Sequence, residues 1–226
     1  MKTLFQKAAA AGHRLDHAVF GVPFERYFRM LEQEVCDSCH SLLDVGCGEE
    51  SKIYYFSKRL PYAVGVDVHE PAIAKSRAQG IHDEYQCLNV LNIESAFAAR
   101  SFDCVVALDL IEHLPKEDGY RILQSMERIA LKKVILFTPN GFLPQPAIDG
   151  NEFQRHLSGW EVDEMRGMGY RVLGINGWKP LRGAEARPRG GHWTSFLSER
   201  LSLMTESFVE RRPKQAFQLL CIKDLS

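Results

Sequence analysis

The sequence predicts an α/β fold with a doubly wound, mostly parallel sheet. Three observations carry this expectation. Short runs rich in Val, Leu and Ile recur seven times, stretches of helical periodicity lie between most of them, and the first run ends in a glycine turn. Runs that are apolar throughout, rather than alternating, belong to strands covered on both faces. In such sheets ligands sit beyond the carboxyl ends of the strands, so the residues following each run are the ones to inspect.

Taken in order, residues 1–40 read as an N-terminal helical extension. Phe24, Tyr27, Phe28 and Leu31 fall at 3–4 spacing and predict a helix packed on the flank of the sheet or closed over a ligand. Strands follow at 41–46 (SLLDVG), 62–68 (YAVGVDV), 84–90 (EYQCLNV), 102–108 (FDCVVAL) and 133–139 (KVILFTP). The segment EPAIAKSRAQG has proline in its first turn and Gly80 as its stop. In PKEDGYRILQSMERIALKK, Ile122, Leu123, Met126, Ile129 and Ala130 share one helical face. Ser158-Gly-Trp-Glu161 has the form of a capping box opening a helix through Met168. Two last strands, 170–176 and 216–222, are separated by an insertion over about 181–210. The insertion begins as a loop with Arg182, Arg187 and Arg189, then sets Trp193, Phe196, Leu197, Leu201, Met204 and Phe208 on one helical stripe. That stripe is expected to pack on its own domain; a substrate lid and a membrane-leaning face are the alternatives. The main domain thus runs over 41–226.

Composition narrows the function. The 226 residues are 45% apolar and 25% charged with a formal net charge of -1, so no global field recruits nucleic acid or anionic membrane. No apolar run reaches the length of a membrane span, about 18 residues, and MKTLFQKAAAAGHRLDH is broken by Gln6 and Lys7 too early for a secretory signal. Cys36-x-x-Cys39-His40 matches a haem-attachment pattern, and half of a zinc site. Without a second cysteine pair or an export signal, it reads as a helix end leading into the first strand, and no metal is expected. The other four cysteines stand singly, as expected in a reducing, cytoplasmic setting.

Asp44-Val-Gly46-Cys-Gly48 closes the first strand, with a helix expected after it, and Asp67 ends the next strand. Glycines there let backbone approach a ligand, and a carboxylate at the second strand end can accept both hydroxyls of a ribose. Glu49, Glu50 and Asp44 would repel the pyrophosphate of a dinucleotide, and Ser51 stands where its third glycine belongs. A cationic nucleoside, such as S-adenosylmethionine, fits the charges; a nicotinamide cofactor does not.

On these residues the chain resembles the class I S-adenosylmethionine-dependent methyltransferases. SFDCVVALDLIEHLPKEDG (101–119) is similar to the fourth-strand segment of their quinone-biosynthesis-like, small-molecule branch, and TPNG (138–141) to the turn after strand five. The resemblance implies a Rossmann-like seven-stranded sheet whose last strand is antiparallel. It implies that Gly46 and Gly48 lie near the methionine part of the cofactor and that Asp44 steadies the turn or meets the ammonium. It assigns Asp67 to the ribose, Asn89 and the Val90 amide to adenine, and Leu108 and Asp109 to the border of the sulfonium. Glu50 and Asn89 depart from the family pattern, where a glycine and an acidic residue are usual.

Methyl transfer is an in-line displacement that depends mainly on alignment, worth up to about 7–11 kcal/mol, but a hydroxyl acceptor also gains from proton removal. His113, just after strand four, and His156, ahead of the capped helix, are the candidate bases. The expected acceptor is a small molecule, methylated at oxygen in the leading reading, with nitrogen and carbon as the alternatives. The Asn-Pro-Pro-aromatic signature of nucleic-acid amino methyltransferases is absent after strand four, which argues against a DNA adenine or glutamine target. An RNA or protein acceptor using the arginine loop, and a cofactor-binding module without catalysis, are the competing readings.

Overall fold

The computed structural model describes residues 25–147, 151–181 and 204–225. Helix α1 (Glu25–Cys36) precedes strand β1 (Ser41–Val45), and β2 (Tyr62–Asp67) is followed by α2 (Glu70–Gln79). Then come β3 (Glu84–Cys87), the single turn α3 (Ile93–Ala96), β4 (Phe102–Leu108), α4 (Lys116–Ile129) and β5 (Ala130–Pro139). The described chain closes with α5 (Val162–Gly167), β6 (Arg171–Trp178), α6 (Glu206–Glu210) and β7 (Ala216–Asp224).

These strands form one seven-stranded sheet in the order β3-β2-β1-β4-β5-β7-β6. Neighbours among β1 to β5 are parallel, and β7 runs antiparallel to both β5 and β6. The order reverses between β1 and β4, the place where a doubly wound sheet opens a crevice. One face is covered by α4 and α5 through Ile122, Met126, Ile129 and Met165; the other by α1 through Tyr27, Leu31 and Val35. The paired apolar faces explain the uninterrupted strand runs.

Three local expectations are corrected. No α-helix follows the glycine turn: Lys52–Tyr55 and Ser57–Arg59 are short 3-10 turns. Only a short connection remains before Tyr62, and Leu60, ahead of Pro61, is held extended at φ -87 and ψ 133. Strand three ends at Cys87, because Asn89 turns back to accept the Leu91 N–H at 3.0 Å. The capping box begins at Glu161, whose N–H faces Glu164 Oε2 at 3.4 Å. Ser158 is diverted, its hydroxyl donating to the Ile111 carbonyl at 3.1 Å.

Cys36 ends α1, and Cys39 is buried just before β1. The thiol of Cys39 is pulled down to about 6, chiefly by hydrogen bonding from Cys104 against the effect of burial. The His40 side chain is 80% exposed, so the three residues do not converge on one point. Residues 1–24 of the extension, the three loop arginines and Trp193, Phe196, Leu197 and Leu201 lie outside the described residues. At the end of the stripe, Met204 is 81% and Phe208 43% exposed.

Candidate functional site

The glycine turn lies at the crevice. Gly46 and Gly48 hold φ of 74° and 58°, a region other residues enter only with strain. A Cβ at Gly46 would stand 2.7 Å from Leu110, whereas the space beside Gly48 is open. The amides of Gly46 and Cys47 donate to the Val66 carbonyl at 2.8 and 3.0 Å. Asp67 completes this link between the ends of β1 and β2: it accepts from Gly48 N at 2.9 Å and from His69 N at 2.8 Å. Asp44 lies beneath, only 1% exposed. Its carboxylate accepts the Ser51 hydroxyl and meets His82 Nε2 at 2.9 Å. Asp44 thus ties the turn to its surroundings from below, through Ser51 and through His82, a partner that tertiary structure brings to it.

Asn89 is exposed and caps the 3-10 turn over Val90–Asn92, while Val90 is buried. Leu108 ends β4, and Asp109 follows it at φ 58° with its N–H on the Phe137 carbonyl at 2.9 Å. This is an unusual conformation for a residue with a Cβ. It turns the Asp109 carboxylate toward Lys52 Nζ, 3.7 Å away, and Gln218 Nε2, 3.4 Å away. Burial raises the Asp109 pKa against the pull of Lys52.

Beyond Asp109 the chain makes a single 3-10 turn, Ile111–His113. The segment 156–160 is fastened to it by backbone. Leu157 N and Ser158 N both donate to the Glu112 carbonyl, at 2.7 and 3.1 Å, and the Trp160 indole N–H donates to the Ile111 carbonyl at 3.2 Å. This brings His156 beside His113 with ring centroids 4.8 Å apart. One ligand atom each from Glu112, His113 and His156 lie within 4.8 Å of one another. His113 Nδ1 lies 3.2 Å from the Arg155 carbonyl and His156 Nδ1 2.6 Å from that of Leu143. A carbonyl only accepts, so each Nδ1 carries the proton and each Nε2 keeps its lone pair. That is the arrangement in which backbone carbonyls orient imidazoles for a metal ion.

Electrostatics agree. Burial lowers the His113 pKa to about 4, outweighing the Arg155 carbonyl, and lowers that of His156 as well. The Glu112 carboxyl, 2% exposed, is pushed well up by burial and by Asp109, although Thr138 Oγ1 donates to it at 2.9 Å. Two neutral imidazoles and a carboxyl reluctant to ionise form a site that a divalent cation would satisfy. Glu112 stands in the segment that carries His113, and its adjacency to a histidine was the available signal. Its partnership with His156 depends on tertiary structure.

Comparison with known proteins yields a match to a family model described as a methyltransferase domain over residues 43–138, the span from β1 to β5. A ubiquinone biosynthesis O-methyltransferase from Hahella chejuensis (strain KCTC 2396) is 26% identical over 163 residues, 58% of this chain and 67% of that protein. Among solved structures, an S-adenosylmethionine-dependent methyltransferase from Mesorhizobium loti aligns with a TM-score of 0.57 at 14% identity, covering 90% of this chain and 98% of that one. One from Archaeoglobus fulgidus aligns with a TM-score of 0.56 at 14% identity, covering 94% and 98%. The matched segment, residues 43–138, is thus similar to a methyltransferase domain, and the whole described fold has the architecture of these class I S-adenosylmethionine-dependent methyltransferases.

Proposed function

We propose that this enzyme transfers the methyl group to an oxygen of a small-molecule acceptor, and that Glu112, His113 and His156 would hold a divalent first-row cation whose Lewis acidity would favour the ionised acceptor. The observation that carries the reading is the Glu-His-His cluster at the end of β4, next to Asp109. The similarity to an O-methyltransferase of ubiquinone biosynthesis supports oxygen as the acceptor atom. Six free thiols support a reducing compartment such as the cytoplasm.

The residues fit S-adenosylmethionine. Open space beside Gly48 admits the cofactor's methionine part, and Asp67, already fixed by two backbone amides, retains lone pairs for the ribose hydroxyls. Asn89 and Val90 border adenine; Leu108 and Asp109 border the sulfonium, which presents an already activated methyl. The remaining task is to orient and deprotonate the acceptor. As a lone base His113 is poor. Moving a proton from a phenol of pKa near 10 to an imidazole of about 4 is uphill by roughly 8 kcal/mol. As neutral imidazoles, His113 and His156 have the right protonation state to hold a cation, and that group would supply the acidification of the hydroxyl.

The test is methyl transfer from labelled S-adenosylmethionine to a panel of phenols and vicinal diols, with and without chelator. Activity is expected to disappear with chelator and return with Mn²⁺ or Zn²⁺. Glu112→Gln and His156→Ala should lose activity on the order of 10²-fold while still being stabilised by the cofactor in thermal melts. Full activity in chelator would sink the cation, and methylation confined to nitrogen or carbon would sink the oxygen acceptor.

A further inference from the structure

Tyr27 lies on α1, outside the segment matched by the family model. Its side chain is 1% exposed, yet its hydroxyl oxygen is buried without a hydrogen-bond partner. The ring rests on Phe137 with centroids 4.3 Å apart. Phe137 pairs with Leu108 across the sheet, and its carbonyl accepts the Asp109 N–H. The ring is thus anchored at the carboxyl end of β4 and β5, on the margin of the crevice. Asp109 and Asp44 are the charges that act on the hydroxyl: burial, then these two carboxylates, push its pKa up. A buried hydroxyl is normally hydrogen-bonded, and one that is not calls for a partner that the protein itself does not supply. With negative charge on that side, the ligand atom facing it is cationic.

We propose that the Tyr27 hydroxyl is a binding contact for the amino-acid end of the cofactor, accepting an N–H from its ammonium group. The inference rests on the cofactor lying over the Gly46–Gly48 turn, and makes α1 a wall of the cofactor site. Asp44, occupied by His82 and Ser51, cedes that role.

Calorimetric titration of wild type and Tyr27→Phe with three ligands tests it. S-adenosylmethionine and S-adenosylhomocysteine both carry the ammonium, only the first carries the sulfonium, and 5′-methylthioadenosine carries neither. The variant should bind the first two about tenfold more weakly and the third as the wild type does. The ligand-free variant should melt no lower than the wild type, because the ring packing is kept and an unpartnered hydroxyl is lost. Equal loss for all three ligands, loss for S-adenosylmethionine alone, no loss, or a lowered melting point of the free protein would each overturn the proposal. A wild type that bound none of the three would instead refute the cofactor assignment in "Proposed function", and this contact with it.

Discussion

Replacing Gly119 by alanine should destabilise the protein even though alanine is the better helix former. Gly119 sits in the first turns of α4, and a Cβ built there would lie 2.3 Å from Trp160 Cζ2 and 2.9 Å from Cη2. Carbon atoms in contact prefer about 3.5–4.0 Å, so the indole would have to retreat by more than about 1 Å. It has little freedom to do so. Trp160 is fully buried, its N–H donates to Ile111 O and to Ser158 Oγ at 3.1 Å, and Lys116 Nζ lies 3.5 Å above its ring. Overpacking of this kind costs about 1–3 kcal/mol, and loss of one indole hydrogen bond about 1 kcal/mol. The gain in helix propensity is about 1 kcal/mol. The net is a loss of about 2 kcal/mol, a fall in Tm of about 4–8 °C for a chain of this size. Gly167, at the end of α5 with open space around its Cβ position, supplies the opposite case: Gly167→Ala should be neutral or raise Tm. Paired thermal melts decide. A Gly119→Ala protein melting at or above wild type, or a Gly167→Ala protein falling as far, would refute the packing argument. Since Trp160 holds Ile111, Gly119→Ala should also lower activity more than cofactor binding.

Other outcomes follow from the same contacts. His82→Ala leaves the buried Asp44 with only the Ser51 hydroxyl and should cost about 1–3 kcal/mol, read by urea unfolding, with weaker cofactor binding by calorimetry. Glu34 joins α1 to β5 and β6 through Lys133 at 2.8 Å and Arg171 at 2.6 Å. Burial raises its carboxyl, but these two cations outweigh it and the net shift is downward from 4.5. A depressed carboxyl stabilises the fold above its unfolded pKa, and the contribution is lost as pH falls from about 4.5 through the folded value. Glu34→Gln should therefore be less stable at pH 7 and lose less further stability on acidification, a difference measurable by melts between pH 7 and pH 3.

Much of the sheet was readable because strands buried on both faces leave no polar position to blur their limits: 102–108 coincides with β4 residue for residue. Helix α2 was equally plain, since Gly80 adopts the left-handed cap that its identity implies. What escaped was decided by contacts distant in sequence. Ser158 looks like a helix cap until Ile111 claims its hydroxyl, and the 3-10 turns after Gly48 reflect the short path to Pro61 rather than any weak helix propensity. At the site, the turn Asp44–Gly48 and Asp67 announced themselves through spacing. Glu112 and Tyr27 did not: one owes its interest to a histidine 44 positions on, the other to a hydroxyl whose isolation appears only in three dimensions.

The position of β7 between β5 and β6 has a consequence for biosynthesis. Among the described residues β6 pairs only with β7, which is made after it, and the connection spans residues 179–215. At about 5–20 residues per second, a ribosome takes roughly 2–9 s to carry the chain from the end of β6 through β7. During that interval the first five strands can assemble around the nascent crevice, whereas β6 must wait for its partner strand. Slowing translation across the connection would prolong that wait, and chaperone capture of the emerging chain should rise with it.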